Sequence, residues 1–251
     1  MNLIWKEWLI IKTKHIFRPK SAKLTLSMVV KNEADRYLRS ALESHRAWID
    51  EAVIIDDGST DHTVAVCQEV LQGIPLHIIQ NKNSKFSNEI ELRKQQWEET
   101  IRTEPTWILN LDADEMLESS FGDQVNDILH QKEYDAIYFR LYDMWSETEY
   151  REDRYWCAHH FYRPFLIRYR PDVDYQWRET AQHCGRFPLT ISTFRYYCHP
   201  ARVRHYGWAK SEDRKRKYER YMKLDPDGIY GWKEQYESIL DEHPHLVQWM
   251  E

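Results

Sequence analysis

The stretch Ile108-Leu109-Asn110-Leu111-Asp112-Ala113-Asp114-Glu115 passes from apolar residues into three carboxylates within four positions. Two negative charges about 4 Å apart repel by roughly 4 kcal/mol at an effective dielectric of 20, so carboxylates gathered this way call for a cation. In a strand, residues i and i+2 share a face, and Asp112 and Asp114 are then expected to present both carboxylates on one side. Oxygen ligands favour a hard divalent ion, Mg²⁺ or Mn²⁺. Mg²⁺ is commonly held by one or two carboxylates, with its other positions open to substrate phosphates. The plain alternative is a solvated acidic turn after a strand.

Upstream of the cluster, short apolar runs alternate with helical stretches, the pattern of βαβ units and a parallel sheet. Residues 24–30 read as the first strand. Asn32 then caps a helix reaching about residue 48, with Leu38, Ala41, Leu42 and His45 on one face. A second strand at 52–55 ends in Asp56-Asp57-Gly58-Ser59-Thr60-Asp61, whose turn formers lead into a helix stopped near Gly73. A third strand at 76–79, a helix at about 88–102 with Ile90, Trp97 and Ile101 inward, and a strand at 107–111 complete this half. Open α/β sheets bind ligands at the carboxyl ends of their strands, so Lys31-Asn32-Glu33, Asp56-Asp57 and Asp112-Asp114 are expected to converge on one crevice.

Beyond residue 116 the reading is a helix at about 119–130, a strand at 136–141 and a segment rich in aromatic residues and arginine. The run 212–220 reads as a solvated helical face, and a last helix lies near 232–240. The segment 1–23 carries six lysines and arginines against one glutamate. Leu3, Ile4, Trp8 and Ile11 recur there at helical spacing, as in a helix lying on an anionic membrane or packed on protein. Its apolar run falls short of the roughly 20 residues that span a bilayer, and no secretory signal is visible.

The composition narrows the partners. Across 251 residues, 42% hydrophobic and 30% charged content is ordinary for a globular chain, and a net charge of −6 argues against nucleic-acid binding. Cys67, Cys157, Cys184 and Cys198 form no C-x-x-C pair, which fits a reducing cytoplasm, with peripheral contact at the inner membrane face through residues 1–20. Cys157, His159, His160, His183, Cys184, Cys198, His199 and His205 would suffice for a zinc site, but their spacing matches no common zinc module.

Three elements in order, Lys-Asn-Glu after the first strand, Asp-Asp-Gly-Ser-Thr-Asp after the second and Leu-Asp-Ala-Asp-Glu after the fourth, resemble family 2 glycosyltransferases of the GT-A fold. The resemblance covers about residues 24–210 and is nearest to the branch that adds sugars to lipopolysaccharide cores. It implies an α/β fold with a Rossmann-like, mostly parallel sheet flanked by helices and a C-terminal acceptor-side extension. Residues 24–115 would bind the nucleotide-sugar, 116–210 would form the acceptor side, and 211–251 would be a helical extension.

The resemblance also implies an inverting transfer from a nucleotide-sugar, most simply a UDP-sugar, to a hydroxyl of a cell-surface or envelope glycan or lipid-linked acceptor. A divalent ion on Asp114, with Asp112 orienting it or touching the ribose, would neutralise the diphosphate leaving group. Glu115 would be a helix-start charge. Val30, Asn32, Glu33, Asp57, Ser59, Arg93 and Ala113 would line the donor site, with Asp57 on the uracil edge and Arg93 on the ribose or phosphates. His205 would complete the metal shell, and Glu179 would be the base, although Arg178 stands where the family usually has histidine. Trp177 and Trp208, and among the remaining tryptophans Trp145 and Trp156, offer flat faces to an acceptor sugar. Arg151, Arg154, Arg163, Arg168 and Arg170 suit an anionic acceptor. Two rival classes stand beside this one: a sugar-nucleotide nucleotidyltransferase, whose glycine-rich first loop is missing here, and a degenerate sugar-binding GT-A module.

Overall fold

The computed structural model describes residues 22–251, so the helix expected within residues 1–23 lies outside the described residues apart from Ala22 and Lys23. The first half alternates as expected: β1 (Leu24–Val30), α1 (Leu38–His45), β2 (Glu51–Asp56), α2 (Thr63–Val70), β3 (Leu76–Gln80), α3 (Glu89–Ile101) and β4 (Trp107–Asn110). Every residue of β1 and β2 is buried, as both faces of a parallel sheet require. The second half comprises β5 (Glu115–Leu117), α4 (Ser120–His130), β6 (Ala136–Asp143), β7 (Glu149–Arg151), β8 (Tyr162–Arg168), β9 (Tyr196–His205), α5 (Ser211–Leu224), α6 (Lys233–Ser238) and β10 (Leu246–Gln248).

One sheet of eight strands runs in the order β3-β2-β1-β4-β8-β6-β9-β5. β1 to β4 are mutually parallel. β8 then reverses direction against β4, β6 reverses against β8, β9 runs parallel to β6, and β5 is antiparallel to β9. The parallel character is thus concentrated in the N-terminal half. The strand order turns back at β1 and β4, and the cleft at their carboxyl ends is the switch point where such sheets take ligands.

Two local expectations change. The helix read from Asn32 begins only at Leu38, because Asn32 adopts a left-handed φ of 52° and makes no cap. Its buried face is nonetheless Leu38, Ala41, Leu42 and His45. Residues 211–251 are not wholly helical: β10 pairs antiparallel with β7 and ties residues 246–248 to the strand at 149–151. No helix among the described residues is long and apolar enough to cross a membrane.

Candidate active site

β4 stops at Asn110, and the acidic cluster lies in the turn that follows, so shared strand facing does not align Asp112 with Asp114. Glu115 sets the shape of that turn. Only 2% exposed, it starts β5 rather than a helix; its Oε2 accepts from the Asp112 amide at 2.8 Å, and Arg186 pairs with its Oε1 at 2.7 Å. With Glu115 engaged inward, Asp112 and Asp114 line the cavity above the switch point.

Asp114 meets two elements from the far half of the chain. His205 Nε2, at the end of β9, lies 3.6 Å from Asp114 Oδ1, and Lys217 Nζ, on α5, lies 3.6 Å from Oδ2. Both separations exceed a hydrogen bond. The His205 ring is fixed from behind, where Nδ1 donates to Asp143 Oδ1 at 2.8 Å, and Trp208 Nε1 donates to the same oxygen at 3.1 Å. Burial alone would raise Asp114, but Lys217 and His205 hold its carboxyl below the ordinary carboxylate range. The converse holds for His205, where burial opposes the charge and Asp114 outweighs it, lifting the imidazole above its usual value.

Gly207 makes this convergence possible. A Cβ there would collide with Lys217 Nζ and would lie 2.5 Å from both Asp114 Oδ2 and His205 Nε2. Beside Asp114, Glu33 is pushed up to about 8 by burial, with Asp114 adding to the rise, and its Oε2 has no hydrogen-bond partner among the described residues. An unpartnered buried carboxylate oxygen, a side-chain-free cradle at Gly207 and a mixed imidazole and carboxylate donor set all fit a divalent cation. Asp114 and His205 would hold it.

The cavity, of about 250 Å³, also takes in Val29, Lys31, Arg36, Phe86, Leu92, Arg93, Ala113, Trp208, Arg220 and Tyr221. Arg93 reaches Asp112 Oδ1 at 3.2 Å, and burial is outweighed by Asp112 and Glu89 in keeping it charged. A second cavity, of about 430 Å³, shares Asp112, His205 and Trp208 and continues past Trp156, Arg163, Arg186 and Tyr236.

Several expected residues stand elsewhere. Glu179 is ion-paired to Lys94 at 2.6 Å on an open face and lines a separate hollow with Trp177 and Trp97. Lys94 follows Arg93 on α3, and successive helical residues point about 100° apart, so the two cations serve different surfaces. Trp177 packs edge-on against Trp97 at 6.3 Å.

Asp57 is fully buried. Its carboxylate accepts from Asn81 Nδ2 at 2.9 Å, Ser84 Oγ at 2.5 Å and the Lys85 amide at 2.9 Å, so it holds the 81–85 loop rather than lining the cavity. Asn32 and Ser59 clasp each other's loops: the Asn32 amide donates to Ser59 Oγ at 2.9 Å, and Asn32 Oδ1 accepts from the Thr60 amide at 2.8 Å. Val30 O accepts from the Asp57 amide at 2.9 Å, fixing the β1 and β2 ends together.

The face read as solvated on α5 delivers Lys217 to the site, and its Asp213, 1% exposed, pairs with Arg36 at 3.3 Å. Asp143 and Lys217 are the largest omissions of the sequence reading. Extending the 136–141 strand by two residues would have reached Asp143; α5 offers no such signal, since a lysine in a charged helix is unremarkable. Of the arginines suggested for an anionic acceptor, Arg163 lines the second cavity. Arg151, 2% exposed, is a core ion-pair partner of Asp153 and Asp241. Arg168 and Arg170 pair with Asp135. Trp145 and Trp156 are core residues, 5% and 2% exposed, although Trp156 also borders the second cavity.

Comparison with known proteins agrees with this architecture. The model of the family described as "Glycosyl transferase family 2" matches residues 25–187. A curated relative described as an uncharacterized glycosyltransferase of Rickettsia felis (strain ATCC VR-1525 / URRWXCal2) is 29% identical over 126 residues, covering 47% of this chain and 39% of that protein. Among solved structures, S. aureus TarS superposes with a TM-score of 0.56 at 16% identity, over 87% of this chain and 42% of that one. The shorter S. aureus TarS 1-349 gives 0.53 at 16% identity, over 87% and 69%. The chain therefore spans well under half the length of its curated relative and of the longer TarS chain. With its GT-A fold and a family match over most of its length, the chain belongs to glycosyl transferase family 2.

Proposed function

We propose that this chain transfers a sugar from a nucleoside diphosphate sugar, a UDP-sugar, to a hydroxyl of a cell-surface glycan or lipid-linked acceptor, with inversion and with the aid of Mn²⁺ or Mg²⁺. The observation that carries the reading is the meeting of Asp114, His205 and Lys217 over Gly207, beside a cavity with an apolar wall and a cationic rim. Bound at Asp114 and His205, the cation would neutralise negative charge as the diphosphate leaves.

The chain's own groups supply the rest. Val29, Phe86 and Leu92 offer an apolar wall for the base, and Lys31 Nζ lies 5.7 Å from the Phe86 ring centre. Arg93, Arg220 and Lys217 place fixed positive charge where phosphates would lie, and a preorganised field costs no rearrangement during the reaction. The second cavity opens from the same Asp112 and His205 and would receive the acceptor, with Trp208 flanking both spaces and Arg163 favouring an anionic group. Glu179, held outside by Lys94, has no part in this geometry. The positive charge of residues 1–23 supports a peripheral membrane acceptor.

The nucleotidyltransferase alternative lacks its glycine-rich loop, and the intact Asp114 and His205 pair speaks against a degenerate module. Thermal-shift screening against UDP-, GDP- and dTDP-sugars, with and without Mn²⁺, tests the proposal. Stabilisation by a UDP-sugar only with metal, and its loss in Asp114→Asn, is expected. No response to any nucleotide would overturn it.

A further inference from the structure

Away from the cavity, two histidines and one carboxylate converge where neither spacing nor motif announces a site. Glu152 follows β7, and His159 and His160 lie in a 3-10 turn at Ala158–His160. One ligand atom from each of the three lies within 4.8 Å of the others. His159 Nε2 is 3.6 Å from Glu152 Oε2, and His160 Nε2 is 3.6 Å from Glu152 Oε1. These distances are too long for hydrogen bonds and too short for a water to bridge comfortably.

The cluster is built rather than casual. His159 is 5% exposed and stacks on Tyr142 at 4.9 Å, with Tyr150 against its edge at 5.1 Å. Its Nε2 has no hydrogen-bond partner among the described residues, and buried polar atoms in folded chains rarely lack one. Glu152 is anchored through its backbone, its amide donating to His245 O at 3.1 Å and its carbonyl accepting from His245 Nδ1 at 2.8 Å.

Two imidazoles and a carboxylate match ions that accept nitrogen ligands, such as zinc, and not Mg²⁺ or Ca²⁺. Around zinc such donors sit about 2.0–2.2 Å from the metal, so the three would need to close by roughly 1 Å, which the exposed His160 can supply. We propose that Glu152, His159 and His160 bind a divalent transition-metal ion of the zinc type, at a site separate from Asp114. Three protein ligands leave a fourth position for water. The ion would fasten the turn carrying Ala158, which borders the second cavity, to the end of β7.

Calorimetric titration of the chelator-treated full chain with Zn²⁺ tests this. The Asp114→Asn variant serves as the background, so that zinc at the first cavity does not mask the result. Asp114→Asn is expected to bind one Zn²⁺, and adding His160→Ala, an exposed position that leaves the core intact, should weaken that binding by about 100-fold or more. Glu152→Gln should do the same, and Co²⁺ should give visible d–d absorption in the background variant alone. Absence of Zn²⁺ binding by the background variant, or equal affinity after His160→Ala, would overturn the proposal, whether or not any nucleotide-sugar binds.

Discussion

His205 Nδ1 donates to Asp143 Oδ1 across 2.8 Å, and that bond decides which ring nitrogen faces Asp114. With Nδ1–H committed to the carboxylate, Nε2 is the atom turned toward Asp114, where the proposed cation would bind, and the ring cannot flip without breaking the contact. Partners of this kind fix both the tautomer and the orientation of a metal-binding imidazole.

Replacing Asp143 therefore acts through His205. Asp143→Asn retains an acceptor oxygen but loses the charge, and Asp143→Ala loses both. Mn²⁺ affinity in the presence of donor is expected to fall by about 10-fold to 100-fold, more for Ala than for Asn. Unchanged Mn²⁺ titrations in both variants would show that His205 is oriented by something else.

Gly207→Ala probes the same centre from the other side. The Lys217 ammonium can swing away from a new methyl, but Asp114 and His205 are held by strand ends and cannot both retreat. The variant should fold with a loss of about 1–3 kcal/mol and transfer sugar at least about 100-fold more slowly, since misplacement by an ångström costs that much at a reacting centre. Wild-type turnover in a folded Gly207→Ala protein would refute the cradle.

Acid should weaken the fold through two buried histidines. Burial lowers His45 to about 3 and His199 to about 4, and each uses a bare ring nitrogen as an acceptor: His45 Nε2 from the Leu117 amide at 3.3 Å, His199 Nδ1 from the Ala201 amide at 3.1 Å. Below pH 6.5 the unfolded chain takes up these protons and the folded chain does not. Their contribution is thus complete above pH 6.5 and shrinks as pH falls toward 4, by up to about 1.4 kcal/mol per pH unit for each. Glu33, raised to about 8, acts oppositely: its contribution is complete below about 4.5 and is lost as pH rises through 8. Denaturant unfolding of the parent and of His45→Gln at pH 7 and pH 5 isolates the histidine effect, and the variant should lose less stability between the two. Equal losses would discount His45.

Much of the frame is local and hence legible in sequence. The mostly apolar β1 and β2 runs, the Gly73 stop and the acidic residues after β4 follow from periodicity and turn chemistry, which neighbouring residues determine among themselves. The left-handed Asn32 escaped that reading because its conformation is set by Ser59 and Thr60, residues of another loop.

By itself the sequence determined the parallel α/β half and the presence of carboxylates at the carboxyl ends of its strands, because those depend on patterns a few residues long. Only the tertiary structure decided their roles. It turned Glu115 inward to Arg186, committed Asp57 to the 81–85 loop, paired Glu179 with Lys94, and brought His205, Lys217 and Asp143 to Asp114. Those contacts join residues about 25 to more than 100 positions apart, and burial and Coulomb attraction act between neighbours in space, which the order of the chain alone does not name.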